Sequence, residues 1–261
     1  MINSVHNPKI QWVRKLQTQT KDRRQEEAFV IEGVRLAEEA LQTNWDTQLV
    51  LYTEELSPRG LAVVDAFTVR DVPAELVSPH VMQSVAHTQT PQGLLLVLAM
   101  KSLPLPATTD FVLVPDGVRD PGNLGTLLRT ANAAGVGAVL LPPGSADAFA
   151  PKVVRSAMGA HFRLPILSMD WSGIEAYLKP PAPATQSTIY LADAHGELAY
   201  TQADFRTSTA LLIGGEAAGA GSQAAQLAEH RLHIPMPGGM ESLNAAVAAA
   251  VLMFEVVRQR S

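Results

Sequence analysis

The chain contains no cysteine among its 261 residues. It therefore forms no disulfide, and it offers neither a thiolate ligand for zinc nor a cysteine nucleophile. No apolar run approaches the roughly 18 residues that a membrane-spanning helix needs, and the first residues lack the apolar core of a signal peptide. We therefore expect a globular, cytoplasmic protein, and we predict no metal site.

An excess of positive charge is also lacking. The net charge is −5, which argues weakly against a nucleic-acid partner. However, residues 1–35 hold seven Lys and Arg against four Asp and Glu, whereas residues 36–109 sum to −5 and residues 110–261 to −3. Because a local basic patch matters more for RNA binding than the total charge does, RNA remains a candidate partner.

A stretch with two prolines and no hydrophobic periodicity, residues 101–110 (KSLPLPATTD), is typical of an interdomain linker. The sequence therefore predicts one domain over residues 1–100 and a second over residues 111–261. Within the first domain, the spacing of the apolar residues predicts a helix from about Pro8 to Lys21. Strands alternate with helices in both parts, which predicts a small α/β domain followed by an α/β domain with a mainly parallel sheet.

Three segments of the second domain join an apolar run to a turn with polar residues. In the first, DPGNLGTLLRTANAAGVGAVLL from Asp120, an apolar strand ends at Val114 and a helix follows the turn. Asn123 is placed to cap that helix. Arg129 lies off the apolar stripe, and long helical side chains lean towards the helix N-terminus, where free backbone amides favour an anion such as a phosphate.

The second segment, LLIGGEAAGAG, places Gly214, Gly215, Glu216 and Gly219 directly after a strand, where α/β proteins usually bind ligands. The third, IPMPGGMESLNAAVAAAVLMFEVV, predicts a helix that begins near Ser242 as its cap. This helix is apolar nearly all round, so we expect it to be buried.

In this order, the three segments closely resemble the signature motifs of the SpoU (TrmH-like) RNA ribose 2′-O-methyltransferases of the SPOUT superfamily, over roughly residues 110–260. The resemblance implies a trefoil knot, a homodimer and S-adenosylmethionine as methyl donor. The N-terminal domain is similar to one that docks RNA in this family and resembles a small ribosomal-protein fold. Three departures are Ala217, Ala220 and Ala246, which replace the family's usual glycine, larger apolar residue and serine.

Carried over residue by residue, the resemblance implies three sets of functional residues. The catalytic set is Arg129, Asn123, Glu216, Ser242 and Asn244. The cofactor-binding set is Leu191, Ala192, Gly214, Gly215, Glu216, Gly219, Ile234, Met236, Leu243 and Asn244. The RNA-binding set is Lys9, Arg14, Lys15, Lys21, Arg23, Arg24 and Arg155.

The chemistry implied is a direct displacement, because methylation at C5 of a pyrimidine requires the cysteine that this chain lacks. In the family the residue matching Arg129 is often proposed as a general base. Since a guanidinium stays protonated in nearly any site, we expect Arg129 instead to remain cationic, to hold a phosphate and to stabilise the developing alkoxide.

Simpler interpretations stay open at this point. Asn123 can be a helix cap alone, Arg129 can form a surface salt bridge, and Glu216 can accept amides of its own loop. The basic helix and Arg155 can be ordinary solvated surface. Ribosomal (23S) RNA is the expected substrate. The alternatives are a tRNA 2′-O-methyltransferase and a non-catalytic RNA-binding ribosome-assembly factor. A dehydrogenase is disfavoured because DPGNLG does not give the Gly-x-Gly-x-x-Gly spacing.

Overall fold

The computed structural model describes residues 1–182, 184–216 and 219–261, and these form two compact units. The first unit comprises residues 1–101 and 149–162, and the second comprises residues 102–148 and 163–261. The segment 149–162 thus clusters with the first unit, although the sequence places it in the C-terminal domain. The reason is aromatic packing: the Phe149 ring lies edge-on to Phe29 with centroids 5.0 Å apart, and His161 lies 5.4 Å from Phe149.

The first unit is a four-stranded sheet in the order β1-β4-β2-β3, with helices packed on it. Its strands are β1 (Ala28–Glu32), β2 (Thr47–Tyr52), β3 (Ala74–Leu76) and β4 (Leu94–Ala99), and its helices are α1 (Pro8–Thr18), α2 (Thr20–Gln25), α3 (Val34–Gln42), α4 (Pro58–Thr68), α5 (Pro79–Val85) and α7 (Pro151–Ala157). Strand β4 runs antiparallel to β1 and β2, and β3 runs parallel to β2.

The N-terminal helix differs from the single helix predicted over Pro8 to Lys21. Asn7 caps its start by accepting a hydrogen bond from the Lys9 backbone at 2.9 Å. The helix ends at Thr18 because Gln19 is extended, with φ −124° and ψ 118°, and α2 then begins. The prediction of one continuous helix is therefore wrong, because the chain forms two helices that are separated at Gln19.

The second unit is a seven-stranded sheet in the order β7-β6-β5-β10-β8-β11-β9. Its strands are β5 (Phe111–Asp116), β6 (Ala138–Leu141), β7 (Ile166–Ser168), β8 (Thr188–Ala192), β9 (Leu198–Ala199), β10 (Thr209–Gly214) and β11 (His230–His233), and its helices are α6 (Pro121–Ala133), α8 (Trp171–Leu178), α9 (Ser222–Leu227) and α10 (Ala245–Arg260). Every pairing among these strands is parallel, which confirms the predicted α/β class. Since β5 and β10 are neighbours and Asp116 pairs with Gly214, the turns that follow these two strands meet at one edge of the sheet.

Two helix caps are not the residues that the sequence predicts. The cap of α6 is Asp120, whose Oδ1 accepts from the Asn123 backbone at 2.9 Å, so Asn123 lies inside the first turn. The cap of α10 is Asn244 rather than Ser242, because the Asn244 Oδ1 accepts from the Ala246 and Val247 backbones at 2.9 and 3.3 Å. In both cases, several residues with capping side chains stand close together in the sequence.

Helix α10 packs on α6 and β10 along one side only. Its buried residues there include Ala245, Ala246, Ala249, Leu252, Met253 and Val256. The opposite side leaves Val247 50% and Phe254 49% exposed, and Leu243, just before the helix, 38% exposed. The prediction of a helix buried all round is therefore wrong for the single chain, and it leaves an apolar face, which we call the α10 outer face (Leu243, Val247 and Phe254).

The same helix buries a carboxylate. Glu255 is 7% exposed and accepts two hydrogen bonds from Arg258, at 2.7 and 2.8 Å, and one from Gln259 at 2.8 Å. The bonds from Arg258 are the main reason why the pKa of Glu255 lies at about 2, below its ordinary 4.5.

We expect Glu255→Gln to lower the melting temperature at pH 7. Because the pKa of the carboxyl is lower in the folded than in the unfolded chain, its ionised form stabilises the fold fully above pH 4.5, and this stabilisation is lost as the pH falls towards 2. The difference in melting temperature between the variant and the wild type should therefore narrow below pH 4.5 in thermal scans. A difference that is constant from pH 7 to 3 would contradict the role of the Glu255 charge.

None of the helices within the described ranges is long and apolar enough to cross a membrane. The same part of the chain holds no group of three or more His, Asp or Glu side chains placed to bind a metal ion.

Candidate active site

A pocket of about 410 Å³ lies at the carboxyl edge of the second unit's sheet. It is formed by the ends of β8 and β10 with the turns after them, by α9, by β11 with the residues after it, and by the start of α10 with the segment before it. Its lining includes Ser242 and nine of the ten residues in the predicted cofactor-binding set: Leu191, Ala192, Gly214, Gly215, Glu216, Gly219, Ile234, Met236 and Leu243. The parallel sheet brings these residues together because its strands end at the same edge.

A chain of three polar side chains joins the three motifs beside this pocket. The Asn123 Nδ2 donates to the Glu216 Oε1 at 2.5 Å, and the Asn244 Nδ2 donates to the Asn123 Oδ1 at 3.1 Å. Asn123 is thus more than a residue in the first turn of α6, and the Glu216 carboxylate reaches beyond its own loop. Asn244, the tenth member of the cofactor-binding set, belongs to this hydrogen-bonded group of side chains and does not line the pocket.

The loop after β10 approaches the turn after β5 so closely that it has no room for a side chain. A Cβ on Gly215 would lie 2.1 Å from the carbonyl oxygen of Gly117. A Cβ on Gly214 would lie 2.4 Å from the backbone nitrogen of Ala220. The second motif needs these two glycines because backbone, rather than a flexible side chain, fills the space.

Asp116 is a contributor that the sequence analysis missed. Its side chain is buried, and its Oδ2 accepts from the Gly221 backbone at 2.6 Å. It thereby joins the end of β5 to the end of the glycine loop that carries Glu216. The only signal in the sequence is a carboxylate at the end of an apolar strand.

We expect Asp116→Ala to destabilise the fold by about 1.5 kcal/mol, the lower end for a hydrogen bond to a charged group, because Gly221 is exposed and water can solvate its freed N–H. Asp116→Asn, which keeps an acceptor, should recover part of the loss. Urea unfolding of the three proteins tests this. Equal stability of Asp116→Ala and the wild type would mean that the bond does not hold the loop.

Arg129 lies six residues after Asn123 on α6, about 9 Å along the helix axis. Its side chain is exposed, and it forms no hydrogen bond or ion pair with any residue that the structure describes. It does not line the pocket. The surface salt bridge left open by the sequence is therefore not formed within the described chain, and the cation is free to meet an external anion.

The predicted RNA-binding residues all lie in the first unit, but their surroundings differ. Lys15, Lys21, Arg24 and Arg155 are exposed, Arg14 is half-buried, and Lys9 pairs with Glu75. Arg23 is a correction: it is 3% exposed, and its guanidinium donates to the Leu16 carbonyl at 2.7 Å and to the Thr20 hydroxyl at 2.9 Å. That side chain fixes α2 against α1 and is not available to RNA.

Among the charged groups of the first unit, Arg155 affects the pKa of His87. Burial lowers the pKa of the His87 imidazole, the nearby Arg155 charge lowers it further, and Glu32 opposes both. Because its pKa lies below the ordinary 6.5, the His87 imidazole is neutral at pH 7, and Arg155 carries the positive charge of this pair.

Two charged residues of the pocket lining, Asp193 after β8 and Arg231 in β11, are not among the predicted site residues. Of the three departures from the family motifs, Ala220 lines the pocket and Ala246 is buried in α10, whereas Ala217 lies outside the described residues.

The fold and the pocket define an α/β protein with a cavity where the parallel strands end. Residues 110–254 match the SpoU rRNA Methylase family, and residues 7–96 match the MRM3-like substrate binding domain. The chain therefore belongs to the SpoU rRNA methylase family, as its motifs predict.

Relatives match over nearly the whole chain. The 23S rRNA (guanosine(2553)-2′-O)-methyltransferase RlmP of Bacillus subtilis is 36% identical over 98% of both chains. The solved structure of the SpoU methyltransferase AviRb from Streptomyces viridochromogenes, in complex with AdoMet, is 29% identical and covers 98% of each chain, with a TM-score of 0.88. The AdoMet-bound rRNA methyltransferase from Sinorhizobium meliloti is 28% identical, covers 98% of this chain and 97% of its own, and has a TM-score of 0.87.

Proposed function

We propose that this protein transfers a methyl group from S-adenosylmethionine to a ribose 2′-hydroxyl of RNA, and that the RNA is 23S ribosomal RNA. The observation that carries the proposal is the Glu216–Asn123–Asn244 hydrogen-bond chain beside a pocket at the sheet edge. The substrate is supported by relatives over nearly full length whose names state 23S rRNA ribose methylation.

The pocket residues fit the cofactor. Its volume lies within the roughly 300–1,000 Å³ usual for small-molecule sites. Leu191, Ile234 and Met236 offer apolar walls for an adenine, the Gly214–Gly215 turn offers backbone groups for its edge, and the Glu216 carboxylate gives a negative charge for a cation. When bound, S-adenosylmethionine supplies a methyl group on a positively charged sulfur.

The chain's own residues then orient the ribose and stabilise charge. Asn123, Asn244 and Ser242 position the ribose and the loops, with Glu216 holding Asn123 in place. Arg129 stays cationic, holds the neighbouring phosphate and stabilises the oxygen as its proton leaves to water or phosphate. Exclusion of water favours the reaction because a cation and a developing anion neutralise each other as it proceeds.

The first unit binds the RNA in this account. Lys15, Lys21 and Arg24 present exposed cations along α1 and α2, and Lys9, Arg14 and Arg155 add to the basic surface. Arg23 takes no part, since it is buried. The division into an RNA-binding domain over 1–100, a linker over 101–110 and a methyltransferase domain over 111–261 stays a prediction at this functional level. The trefoil knot and the cytoplasmic location stay predictions as well.

The homodimer is proposed on the α10 outer face. Large apolar side chains exposed together on one helix face are unfavourable in water and mark an interaction surface. The face is contiguous with the pocket, because Leu243 belongs to both. A second copy of the chain is the partner that the family resemblance implies.

Phe254→Asp should convert the dimer to a monomer, because it places a charge in the apolar contact. Val69→Asp is the matched control, since Val69 is 85% exposed in the first unit and lies outside this face. Sedimentation velocity of both variants and the wild type reports the mass. A wild-type chain that sediments as a monomer would contradict the proposed dimer.

The proposed function is tested by mapping 2′-O-methyl sites across ribosomal and transfer RNA from cells with and without the gene. The expected result is the loss of a 23S rRNA site on deletion and its return with the wild-type gene. A lost tRNA site would overturn the proposed substrate. An unchanged map would support the non-catalytic assembly factor instead.

A further inference from the structure

Two charged residues of the pocket lining, Asp193 and Arg231, take no part in the methyl transfer described above. Asp193 directly follows β8, and Arg231 lies in the neighbouring strand β11. The Asp193 Oδ1 accepts from the His195 backbone at 2.9 Å, in a tight turn. Its Oδ2 lies 3.4 Å from the Arg231 Nη1, longer than the 2.7–3.2 Å of a well-formed N–H···O bond. One carboxylate oxygen in the pocket lining is therefore only weakly satisfied.

We infer that Asp193 binds the ribose diol of the adenosyl cofactor, with its Oδ2 accepting from a ribose hydroxyl and Arg231 donating to the other ribose oxygen. The inference rests on the proposed function, since it assigns a part of that cofactor. A vicinal diol both donates and accepts, so it suits a carboxylate beside a guanidinium. Carboxylates that follow a strand at a sheet edge bind ribose hydroxyls in the same way in dinucleotide-binding folds.

The position of Asp193 along the sheet indicates that it binds the ribose of the cofactor rather than the end that carries the methyl group. In the order β5-β10-β8-β11, Asp193 is two strands away from the turn that carries Asn123, about 10 Å at the usual strand spacing. The methyl group has to lie near Asn123 and Glu216, so Asp193 meets a more distant portion.

The side chains beside Asp193 indicate that it meets the ribose rather than the methionine end of the cofactor. Leu191, an apolar wall suited to a base, precedes Asp193 by two residues and pairs with Arg231 in the register of β8 and β11. The ribose is bonded directly to the adenine, whereas the amino-acid end is separated from it by the ribose and the sulfur. An ion pair beside the Leu191 wall therefore lies at the ribose.

The test is calorimetry with two probes, S-adenosylmethionine and 5′-methylthioadenosine, which keeps the adenosine and lacks the amino-acid end. We expect Asp193→Ala to weaken both by the same factor, about tenfold or more, because a hydrogen bond to a charged group is lost in each case. The 2′,3′-dideoxy form of 5′-methylthioadenosine should bind the wild type and Asp193→Ala with nearly equal affinity, since it lacks both hydroxyls that Asp193 could hold.

Asp204 offers a matched control. It also accepts from the backbone two residues on, that of Arg206 at 3.1 Å, and it pairs with the Arg206 guanidinium at 2.8 Å, but it does not line the pocket. Asp204→Ala should leave both affinities unchanged, and thermal melts of both variants report the loss of each turn.

Three outcomes would overturn the assignment. If Asp193→Ala weakens S-adenosylmethionine but not 5′-methylthioadenosine, Asp193 binds the amino-acid end. If Asp193→Ala melts earlier but binds both probes as the wild type does, Asp193 only shapes its turn. If the wild type binds neither probe, the proposed function fails, and the ribose assignment fails with it.

Discussion

Gly215→Ala is expected to weaken the binding of S-adenosylmethionine by about tenfold to a hundredfold. The added Cβ would lie 2.1 Å from the Gly117 carbonyl oxygen, so either the glycine loop or the turn after β5 has to move. Overpacking of this kind costs about 1–3 kcal/mol. Because the obstacle is backbone rather than a flexible side chain, rotation of a side chain cannot relieve it.

Calorimetry with S-adenosylmethionine measures this loss directly. Gly173→Ala in α8 is the matched control: its Cβ would also meet an atom within 3 Å, but that atom is the Cγ of the Met169 side chain, which can rotate away, and α8 does not line the pocket. The control should bind as the wild type does. Wild-type affinity in Gly215→Ala would mean that the loop between Gly214 and Gly221 does not hold the cofactor.

Arg129→Ala is expected to lower kcat by at least about a hundredfold while leaving the affinity for S-adenosylmethionine within twofold of the wild type. Removal of a donor aimed at a developing oxyanion typically costs about 10²–10³ in kcat. The cofactor affinity should hold because Arg129 is outside the pocket lining and forms no contact with the described residues.

Arg129→Lys distinguishes two ways in which the cation can act. A lysine keeps the charge but loses the planar pair of donors. Near-total loss of turnover in Arg129→Lys indicates a bidentate contact to phosphate, and partial activity indicates that charge alone suffices. Full turnover in Arg129→Ala would remove Arg129 from the catalytic set.

The convergence of the three motifs is predictable from the sequence because it follows from topology. Strands that alternate with helices form a parallel sheet, and the turns after its strands share one edge. Asn123, Glu216 and Asn244 are far apart in the sequence but meet there, with Asn123 between Glu216 and Asn244. Strands β5 and β10 were recognisable as continuous apolar runs that end in a turn.

The parts that the sequence does not predict depend on contacts between distant residues. Asp120, Asn123, Ser242 and Asn244 all carry capping side chains, and the local pattern cannot rank two candidates within three residues of each other. Arg23 has the same sequence context as its exposed neighbour Arg24, and its burial becomes clear only from contacts such as those to the Leu16 carbonyl and the Thr20 hydroxyl.

Long-range packing decides the remaining differences. The segment 149–162 joins the first unit through Phe149 and Phe29, a contact that no local periodicity reveals. Asp116 ends an apolar strand and Asp193 follows one, as many surface carboxylates do. Their roles become visible only when Gly221 and Arg231 are placed beside them.

The most direct measurement is methyl transfer in vitro. Purified wild-type protein, methyl-labelled S-adenosylmethionine and 23S rRNA from cells lacking the gene are incubated, and the RNA is digested to nucleosides for mass spectrometry. We predict one labelled nucleoside that carries the methyl group on its ribose, with Arg129→Ala giving almost none. A methyl group on a base, or no transfer by a wild-type chain that binds S-adenosylmethionine, would contradict the account.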